Sequence, residues 1–240
     1  MTNIRIGSDI NALARTAADA IQDLSKKAIS QTGRFSIALS GGSTPKTLFE
    51  LLAREYAHKV DWSNTYIFWG DERCVRPDDP DSNYKMARET LLDLVPLPAS
   101  NVHRIKGELE PAEAALEYEG TLGTFFQDQR PRLDLILLGM GDDGHTASLF
   151  PGTDALNEQT RWVVPNHVMS AKQTWRITFT VPVINNAANV MFLVAGSGKA
   201  ARLKQVVQGA YAPNDLPSQL IKPTDGELIW AVDQAAASLL

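Results

Sequence analysis

An aspartate and a histidine lie two residues apart in a glycine-rich segment, residues 139–145, and their side chains are suited to acid–base chemistry. A carboxylate beside an imidazole fixes the tautomer of the ring and raises its basicity, which a general base requires. The apolar run 133–138 precedes the segment and predicts a buried strand, so both side chains would follow the end of that strand. The sequence therefore predicts that His145 is a general base and that Asp143 supports it.

The same segment matches the G-x-G-x-x-G pattern of dinucleotide-binding turns, with glycines at positions 139, 141 and 144. Two features argue against a dinucleotide. Asp142 and Asp143 would place negative charge against a pyrophosphate. Residues 162–166 lack the acidic side chain that binds the ribose about 20 residues further on. We therefore favour the alternative, in which Asp143 and His145 carry the chemistry.

A second glycine-rich turn follows the predicted strand 35–39 and leads into a predicted helix. Free backbone N–H groups and the dipole at a helix N-terminus attract anions such as phosphate. The order Thr44-Pro45 predicts that Thr44 caps this helix, because threonine and proline favour these first positions. An ordinary capped turn would have the same composition. The candidate anion-binding residues are Ser40, Gly41, Gly42, Ser43 and Thr44.

Three basic side chains are further candidates for holding an anion. Arg73 follows a predicted strand together with the acids Asp71 and Glu72; the arginine could reach a ligand while the acids hold it or polar groups of the substrate. A solvated salt bridge is the simpler interpretation of this triplet. Lys199 begins a predicted helix, where a lysine without a ligand is mildly unfavourable beside the positive end of the helix dipole. Arg176 interrupts an apolar strand pattern.

Short apolar runs alternate along the chain with segments whose apolar residues recur at the helical period. This alternation predicts an α/β fold with a doubly wound, mostly parallel sheet and helices on both faces, a three-layer Rossmann-like arrangement. We expect a single domain over residues 1–240. The predicted strands are 35–39, 65–69, 133–138, 162–164, 176–180, 190–195 and 228–232. The predicted helices begin near residues 10, 44, 84, 111 and 199, and the third runs to about Leu94.

The carboxyl ends of parallel strands meet at one edge of a sheet, where ligands bind. The strands predicted to end at residues 39, 69, 138 and 195 each lead into glycine and polar or charged residues. We therefore expect Ser43, Arg73, His145 and Lys199 to lie in one cleft. Residues 166–173 are poorly patterned and predict a mobile loop.

The composition limits the partners that the protein can have. The 240-residue chain has 23 Lys and Arg residues against 28 Asp and Glu residues, a formal net charge of −5, and 44% of its residues are hydrophobic. This provides a sizeable core and excludes global disorder. A net acidic chain is poorly suited to non-specific binding of nucleic acid or of anionic membranes, so we expect neither as a partner.

Cysteine usage and the N-terminus indicate the compartment. Cys74 is the only cysteine, so an internal disulfide is impossible, which fits a reducing environment. The N-terminal residues lack the layout of a signal peptide, and no apolar run is long enough to span a membrane. We expect a cytoplasmic protein. The histidines are scattered and predict no metal site. The oligomeric state is open, and a monomer is compatible with the sequence.

Four segments together resemble the signatures of the 6-phosphogluconolactonase family, and the resemblance covers nearly the whole chain in order. The segment that contains His145 is highly specific, whereas the first glycine turn is shared with related sugar-phosphate enzymes. The segment 176–178, the turn 196–199, Trp230 and Asp233 also fit the family. The four segments are residues 39–45, 69–73, 81–84 and 139–151.

The resemblance implies hydrolysis of 6-phospho-D-glucono-1,5-lactone to 6-phosphogluconate without an organic cofactor. It implies that His145 activates water with support from Asp143, although Asp71 is an alternative partner for the imidazole and the sequence does not choose between the two acids. It implies that the remaining candidates hold the substrate, chiefly its phosphate. These are Arg73, Arg176, Lys199 and the turn from Ser40 to Thr44.

Two other functions fit parts of the pattern. The related glucosamine-6-phosphate isomerase/deaminases have a glutamate five residues after the histidine for opening the sugar ring, but Phe150 stands there in this chain. A non-catalytic sugar-phosphate sensor usually carries an output domain, such as a DNA-binding helix pair. The chain has no spare segment for one, and its net charge opposes DNA binding.

Overall fold

The computed structural model describes residues 3–240 and contains a larger parallel sheet and a smaller antiparallel sheet. The strands are β1 (Asn3–Gly7), β2 (Phe35–Leu39), β3 (Thr65–Trp69), β4 (Asp71–Arg73), β5 (Leu135–Leu138), β6 (Val163–His167), β7 (Trp175–Phe179), β8 (Asn189–Val194) and β9 (Glu227–Asp233). The helices are α1 (Ile10–Thr32), α2 (Ser43–Glu55), α3 (Asn83–Thr90), α4 (Pro111–Phe126), α5 (Val181–Ile184) and α6 (Ala200–Gln208). Within residues 3–240, none of the helices combines the length and the apolar character that a bilayer crossing demands.

The larger sheet has the strand order β1-β9-β8-β5-β2-β3, and its strands pair in parallel. Every residue of the central strands β2 and β5 is buried, which explains why these strands are continuous apolar runs in the sequence. Helices α1 and α2 pack against each other and against strands of this sheet. The predicted α/β fold with a mostly parallel sheet is confirmed.

The smaller sheet, with the order β4-β7-β6, is absent from the sequence prediction. Its strand β4 has only three residues and carries charge, so it has no apolar periodicity that could reveal it. The edge strand β1 was also missed. It is short, and its Ile6 side chain remains 60% exposed, so β1 shows little of the burial pattern that marks central strands.

Two helix boundaries differ from the prediction. Helix α2 begins at Ser43 and its N-cap is Gly42, so the prediction that Thr44 is the cap is wrong. Gly42 has φ 107°, a left-handed conformation that glycine adopts easily, and the chain can therefore turn into the helix earlier than the threonine. Helix α3 ends at Thr90, and a short 3₁₀ turn replaces its predicted continuation to Leu94.

The segment predicted as a mobile loop is the tip of a hairpin in the smaller sheet. Strand β6 extends through His167 and pairs antiparallel with β7, so only residues 168–174 form the connection. Lys172 contacts the Asp81 carboxylate at 2.6 Å, and the Gln173 side chain donates to the same carboxylate at 3.0 Å. The tip is thereby attached to the segment that precedes α3. Its mobility stays a prediction.

Candidate active site

A cleft of about 380 Å³ opens at the carboxyl ends of the central parallel strands. The chain segments that follow β2, β3 and β5 converge there because those strands are parallel neighbours. The smaller sheet forms another wall. Of the candidates named from the sequence, those lining the cleft are Ser40, Gly41, Gly42, Asp71, Arg73, His145 and Arg176.

The imidazole of His145 is held by Asp143. The ring Nδ1 lies 2.6 Å from Asp143 Oδ1, and the backbone N–H of His145 donates to the same oxygen at 3.0 Å. Burial raises the pKa of Asp143, but the hydrogen bonds from the ring and backbone of His145 outweigh burial and lower that pKa to about 2. An ionised carboxylate only accepts hydrogen bonds, so Nδ1 carries the proton and Nε2 is left as the basic nitrogen. The acid in contact with the imidazole is thus Asp143 and not Asp71.

Two glycines of this turn have positions that no other residue could occupy without displacement. A Cβ on Gly141 would overlap Nδ1 and Cε1 of His145, and Gly144 has φ 86° with Leu216 packed against it. The backbone N–H of Gly141 donates to the carbonyl of His145 at 2.9 Å, which closes the turn. The glycine pattern that imitates a nucleotide fingerprint therefore makes room for an imidazole and its carboxylate.

Asp71 occupies a separate place in the cleft. Its side chain is buried, and Oδ2 accepts a hydrogen bond from Ser148 Oγ at 2.8 Å. Within residues 3–240 no basic side chain lies within ion-pair distance of it. The amide of Asn83 donates to the backbone carbonyl of Asp71 at 2.9 Å. A carboxylate placed in this way is an acceptor for hydroxyl groups.

Arg73 and Arg176 face each other across the antiparallel pair β4–β7. The Arg73 guanidinium donates to the carbonyl of Asp81, and Arg176 Nε donates to the carbonyl of Gln173 at 2.8 Å. Burial and then the charge of Arg73 lower the pKa of Arg176. In the described part of the chain neither arginine has a carboxylate within ion-pair distance. Two opposed like charges without counterions destabilise a strand pair, and a bound anion would relieve the repulsion.

The first glycine turn contributes backbone rather than side chains. Ser40, Gly41 and Gly42 line the cleft, whereas Ser43 and Thr44 are the first residues of α2 and do not line it. No side chain among residues 3–240 caps this helix, so its first N–H groups are available to an anion.

Asn83 belongs to the site although the sequence analysis assigned it no role. It is buried, it lines the cleft, and its Oδ1 lies so close to Gly41 that a Cβ there would overlap it. The segment 81–84 was part of the family resemblance, which is the one signal that could have pointed to Asn83.

Glu72 holds the start of α3 beneath the cleft. Its carboxylate accepts hydrogen bonds from the backbone N–H groups of Asn83 and Tyr84, both at 2.8 Å, and from Ser82 Oγ at 3.1 Å. Burial raises the pKa of Glu72 to about 6, despite these hydrogen bonds. Glu72 therefore orients Asn83 instead of facing a ligand.

Neither Lys199 nor Ser43 lines the cleft, so only Arg73 and His145 of the four residues expected there do so. The segment after β2 still reaches the cleft through Ser40, Gly41 and Gly42. Gly196, at φ 96°, is followed by a 3₁₀ turn that ends at Lys199. The Lys199 ammonium contacts Asp142 at 2.5 Å, beside the Asp143–His145 pair in the chain. The local attraction of an exposed carboxylate thus places this lysine at the rim.

Other lining residues came from no sequence argument. Ala171 enters from the hairpin tip, and Met140 and Ala147 belong to the segment around the histidine. Phe150 also lines the cleft and stacks on His145, with ring centroids 3.9 Å apart. Within residues 3–240 no group of three or more His, Cys, Asp or Glu side chains is arranged to hold a metal ion.

The Asp143–His145 contact gives a first prediction. Asp143→Asn should lower turnover by roughly 10²-fold, because an amide no longer enforces the Nδ1–H tautomer. The pKa of Asp143 is lower in the folded protein than its ordinary value of 3.8, so the ionised carboxylate stabilises the fold at pH above 3.8. This stabilisation is lost as the pH falls from 3.8 toward 2. The stability difference between wild type and variant, measured by urea unfolding, should therefore narrow in that window. The control is Asp93→Asn at the surface, and equal turnover in both variants would contradict the assignment.

Comparisons with known proteins identify the family of the chain. Residues 8–230 match the family model described as glucosamine-6-phosphate isomerases/6-phosphogluconolactonase. A 6-phosphogluconolactonase of a Nostoc species is 46% identical over 99% of this chain and 98% of its own, and one of a Synechocystis species is 46% identical over 89% and 88%. The structure of 6-phosphogluconolactonase from Trypanosoma cruzi superposes with a TM-score of 0.89 at 28% identity, covering 100% of this chain and 97% of that one. With a family model that spans most of its length and relatives of this similarity, the chain belongs to the glucosamine-6-phosphate isomerase/6-phosphogluconolactonase family.

Proposed function

We propose that this chain is a 6-phosphogluconolactonase, which hydrolyses 6-phospho-D-glucono-1,5-lactone to 6-phosphogluconate in the second step of the oxidative pentose phosphate pathway. The observation that carries the proposal is an imidazole with a carboxylate on Nδ1, in a cleft that also contains two arginines with no carboxylate of residues 3–240 within ion-pair distance. The names of the full-length relatives support it. The chain acts in the cytoplasm, for which the lone Cys74 and its implied reducing compartment give support.

Hydrolysis needs a base first and an acid afterwards. His145 Nε2 accepts a proton from water as the water oxygen attacks the lactone carbonyl carbon, and a tetrahedral oxyanion forms. The imidazolium then donates that proton to the ring oxygen as the bond between this oxygen and C1 breaks. Asp143 stabilises the imidazolium through Nδ1–H and keeps Nε2 directed to the reaction. Backbone N–H groups of the glycine turns stabilise the oxyanion.

The phosphate binds where positive charge lacks a partner. Arg73 and Arg176 supply two guanidinium groups. The turn from Ser40 to Thr44 supplies backbone N–H groups, and it meets the cleft at Ser40, Gly41 and Gly42. The ammonium of Lys199 leaves the carboxylate of Asp142 and binds the phosphate of the substrate when the substrate is present. The carboxylate of Asp71, held by Ser148, accepts a hydroxyl of the sugar.

The rival activities fit the cleft less well. A glucosamine-6-phosphate isomerase/deaminase needs an acidic group to open the sugar ring, and the position that would supply it holds the apolar Phe150, stacked on His145. A sensor would have no use for an imidazole whose tautomer is fixed beside a substrate-sized cleft.

The phosphate site predicts a loss of binding. Arg176→Ala should weaken substrate binding by roughly 1.5–3 kcal/mol, about 10- to 150-fold in KM, because a charge-assisted hydrogen bond is lost. Lys199→Ala should act in the same direction, and unphosphorylated gluconolactone should be a much poorer substrate for the wild type. Steady-state kinetics with both lactones measure this, with the exposed Arg130→Ala as the matched control. Equal activity on both lactones would contradict the proposal that the cleft binds the phosphate.

The proposed reaction is tested by the acid that it releases. Freshly made 6-phosphogluconolactone is added with and without the protein, and proton release is followed at constant pH, since the lactone also hydrolyses unaided. A rate that rises in proportion to protein concentration supports the proposal. A rate equal to the spontaneous one, with a folded protein, would contradict it.

A further inference from the structure

Phe150 lies flat against the imidazole of His145. The two ring centroids are 3.9 Å apart, and the planes are inclined by 20°. The Phe150 side chain is 9% exposed, so the phenyl ring is almost entirely enclosed between the cleft and the core. One face of the imidazole is therefore covered by an apolar ring.

The backbone between the two residues is bent to make this contact. Ala147 has φ 48°, a left-handed conformation that is unfavourable for a residue with a Cβ. The N–H of Leu149 donates to the carbonyl of Thr146 at 2.9 Å and closes a tight turn. Because of this turn, the side chain of Phe150 contacts the imidazole of His145, which is five residues earlier in the chain.

Side chains on both sides anchor the turn. Thr146 Oγ1 donates to the carbonyl of Gly139 at 2.9 Å, and Ser148 Oγ donates to Asp71 at 2.8 Å. The N–H of Ser148 donates to Thr178 Oγ1 at 3.2 Å, which connects the turn to the smaller sheet. Phe150 is thus presented to the histidine by a fixed piece of backbone.

Asp143 alone does not fix the plane of the imidazole. The contact at Nδ1 fixes one atom of the ring, so a joint change of the two side-chain torsions can still pivot the imidazole about that atom. Such a pivot would carry Nε2 away from the cleft and admit water to the ring face. An aromatic ring at stacking distance removes this freedom, because a tilted imidazole would collide with it.

We propose that Phe150 is a positioning residue, which holds the plane of the His145 imidazole so that Nε2 faces the substrate and Nδ1 stays on Asp143. It acts through the histidine and need not touch the reacting atoms. The proposal rests on the proposed function for its kinetic consequence, whereas its structural content concerns the ring alone.

The test compares Phe150→Leu, which loses the flat face, with Phe150→Tyr, which keeps it. For Phe150→Leu we expect kcat to fall about 10- to 100-fold while KM changes less than about threefold. The ¹⁵N signals of the His145 ring should move from those of a fixed Nδ1–H tautomer toward averaged values. Phe150→Tyr should restore both. Thermal unfolding checks that each variant is folded, and Phe150→Met, which fills the volume with a flexible chain, replaces the leucine variant if that one does not fold.

A second stacked histidine provides the matched control. His167 stacks on Trp175 at 4.5 Å, and neither residue lines the cleft. Trp175→Leu should change the ring signals of His167 and leave those of His145 unchanged, whereas Phe150→Leu should do the reverse.

Each outcome has a meaning. A folded Phe150→Leu variant with unchanged ¹⁵N signals overturns the proposal even if kcat falls, because its effect would then be structural. Changed signals with unchanged kcat also overturn it. If the wild type does not hydrolyse the lactone, the proposed function fails, while the ¹⁵N comparison still decides whether Phe150 positions the ring.

Discussion

His145→Ala should lower kcat by about 10²–10⁴-fold, after the spontaneous rate has been subtracted, and should change KM only modestly. In the proposed mechanism the imidazole is the base in the first half of the reaction and the acid in the second, so both halves would lose their proton carrier. In the proposed mechanism binding depends mainly on the arginines and on the turn that leads into α2, which the substitution leaves in place. Single-turnover and steady-state kinetics at neutral pH would measure the effect.

The wild-type activity should also fall at acid pH, because a protonated imidazole no longer accepts a proton. His145→Ala should lack this acid limb in whatever activity remains. The exposed His58 provides the control, and His58→Ala should retain wild-type kinetics. Near-normal turnover of His145→Ala would show that the base is another residue.

Gly141→Ala should lower kcat by roughly 10²-fold or more, although position 141 contributes no side chain to the reaction. The added Cβ would overlap Nδ1 and Cε1 of His145 and lie 2.7 Å from Asp143 Oδ1. The imidazole and its carboxylate must then separate or move together, and Nε2 leaves its place in the cleft. The ¹⁵N signals of His145, measured with kcat, would report this displacement.

Another Gly→Ala substitution separates this effect from a general one. Gly120 is an exposed residue within α4, and apart from the backbone of its own helix and its chain neighbours a Cβ there would have no atom of residues 3–240 within 4 Å. Gly120→Ala should leave kcat unchanged and raise the free energy of unfolding by up to about 1 kcal/mol, since alanine favours the helix. If Gly141→Ala kept both wild-type kcat and wild-type histidine signals, the requirement for glycine beside the imidazole would be refuted.

Local sequence predicted where along the chain the candidate site residues lie. The apolar runs of β2, β3 and β5 and the glycine, hydroxyl and charged residues that follow them are contiguous signals, and parallel pairing brings these strand ends together. The Asp143–His145 pair was predictable for the same reason, because two residues of one short turn are neighbours in any fold that contains the turn.

Tertiary structure decided the partners that come from distant parts of the chain. Arg73 and Arg176 face each other only because β4 and β7 pair in one particular register, which a three-residue charged strand does not reveal. The structure also shows which acid meets the imidazole, because Asp143 contacts Nδ1 of His145 while Asp71 accepts a hydrogen bond from Ser148.

Two further differences have the same origin. Lys199 ends a 3₁₀ turn just before α6 begins at Ala200, and its ammonium contacts Asp142, since the direction of a long flexible side chain depends on which charge is near it in the folded protein. In the sequence, Phe150 was notable only because the related deaminases have a glutamate at this position. In the structure, the strained turn at Ala147 places its ring against the imidazole of His145. Residue types and spacing thus determined what chemistry this chain can carry. Strand register and backbone turns, which depend on contacts across the whole chain, decided which groups meet to carry it out.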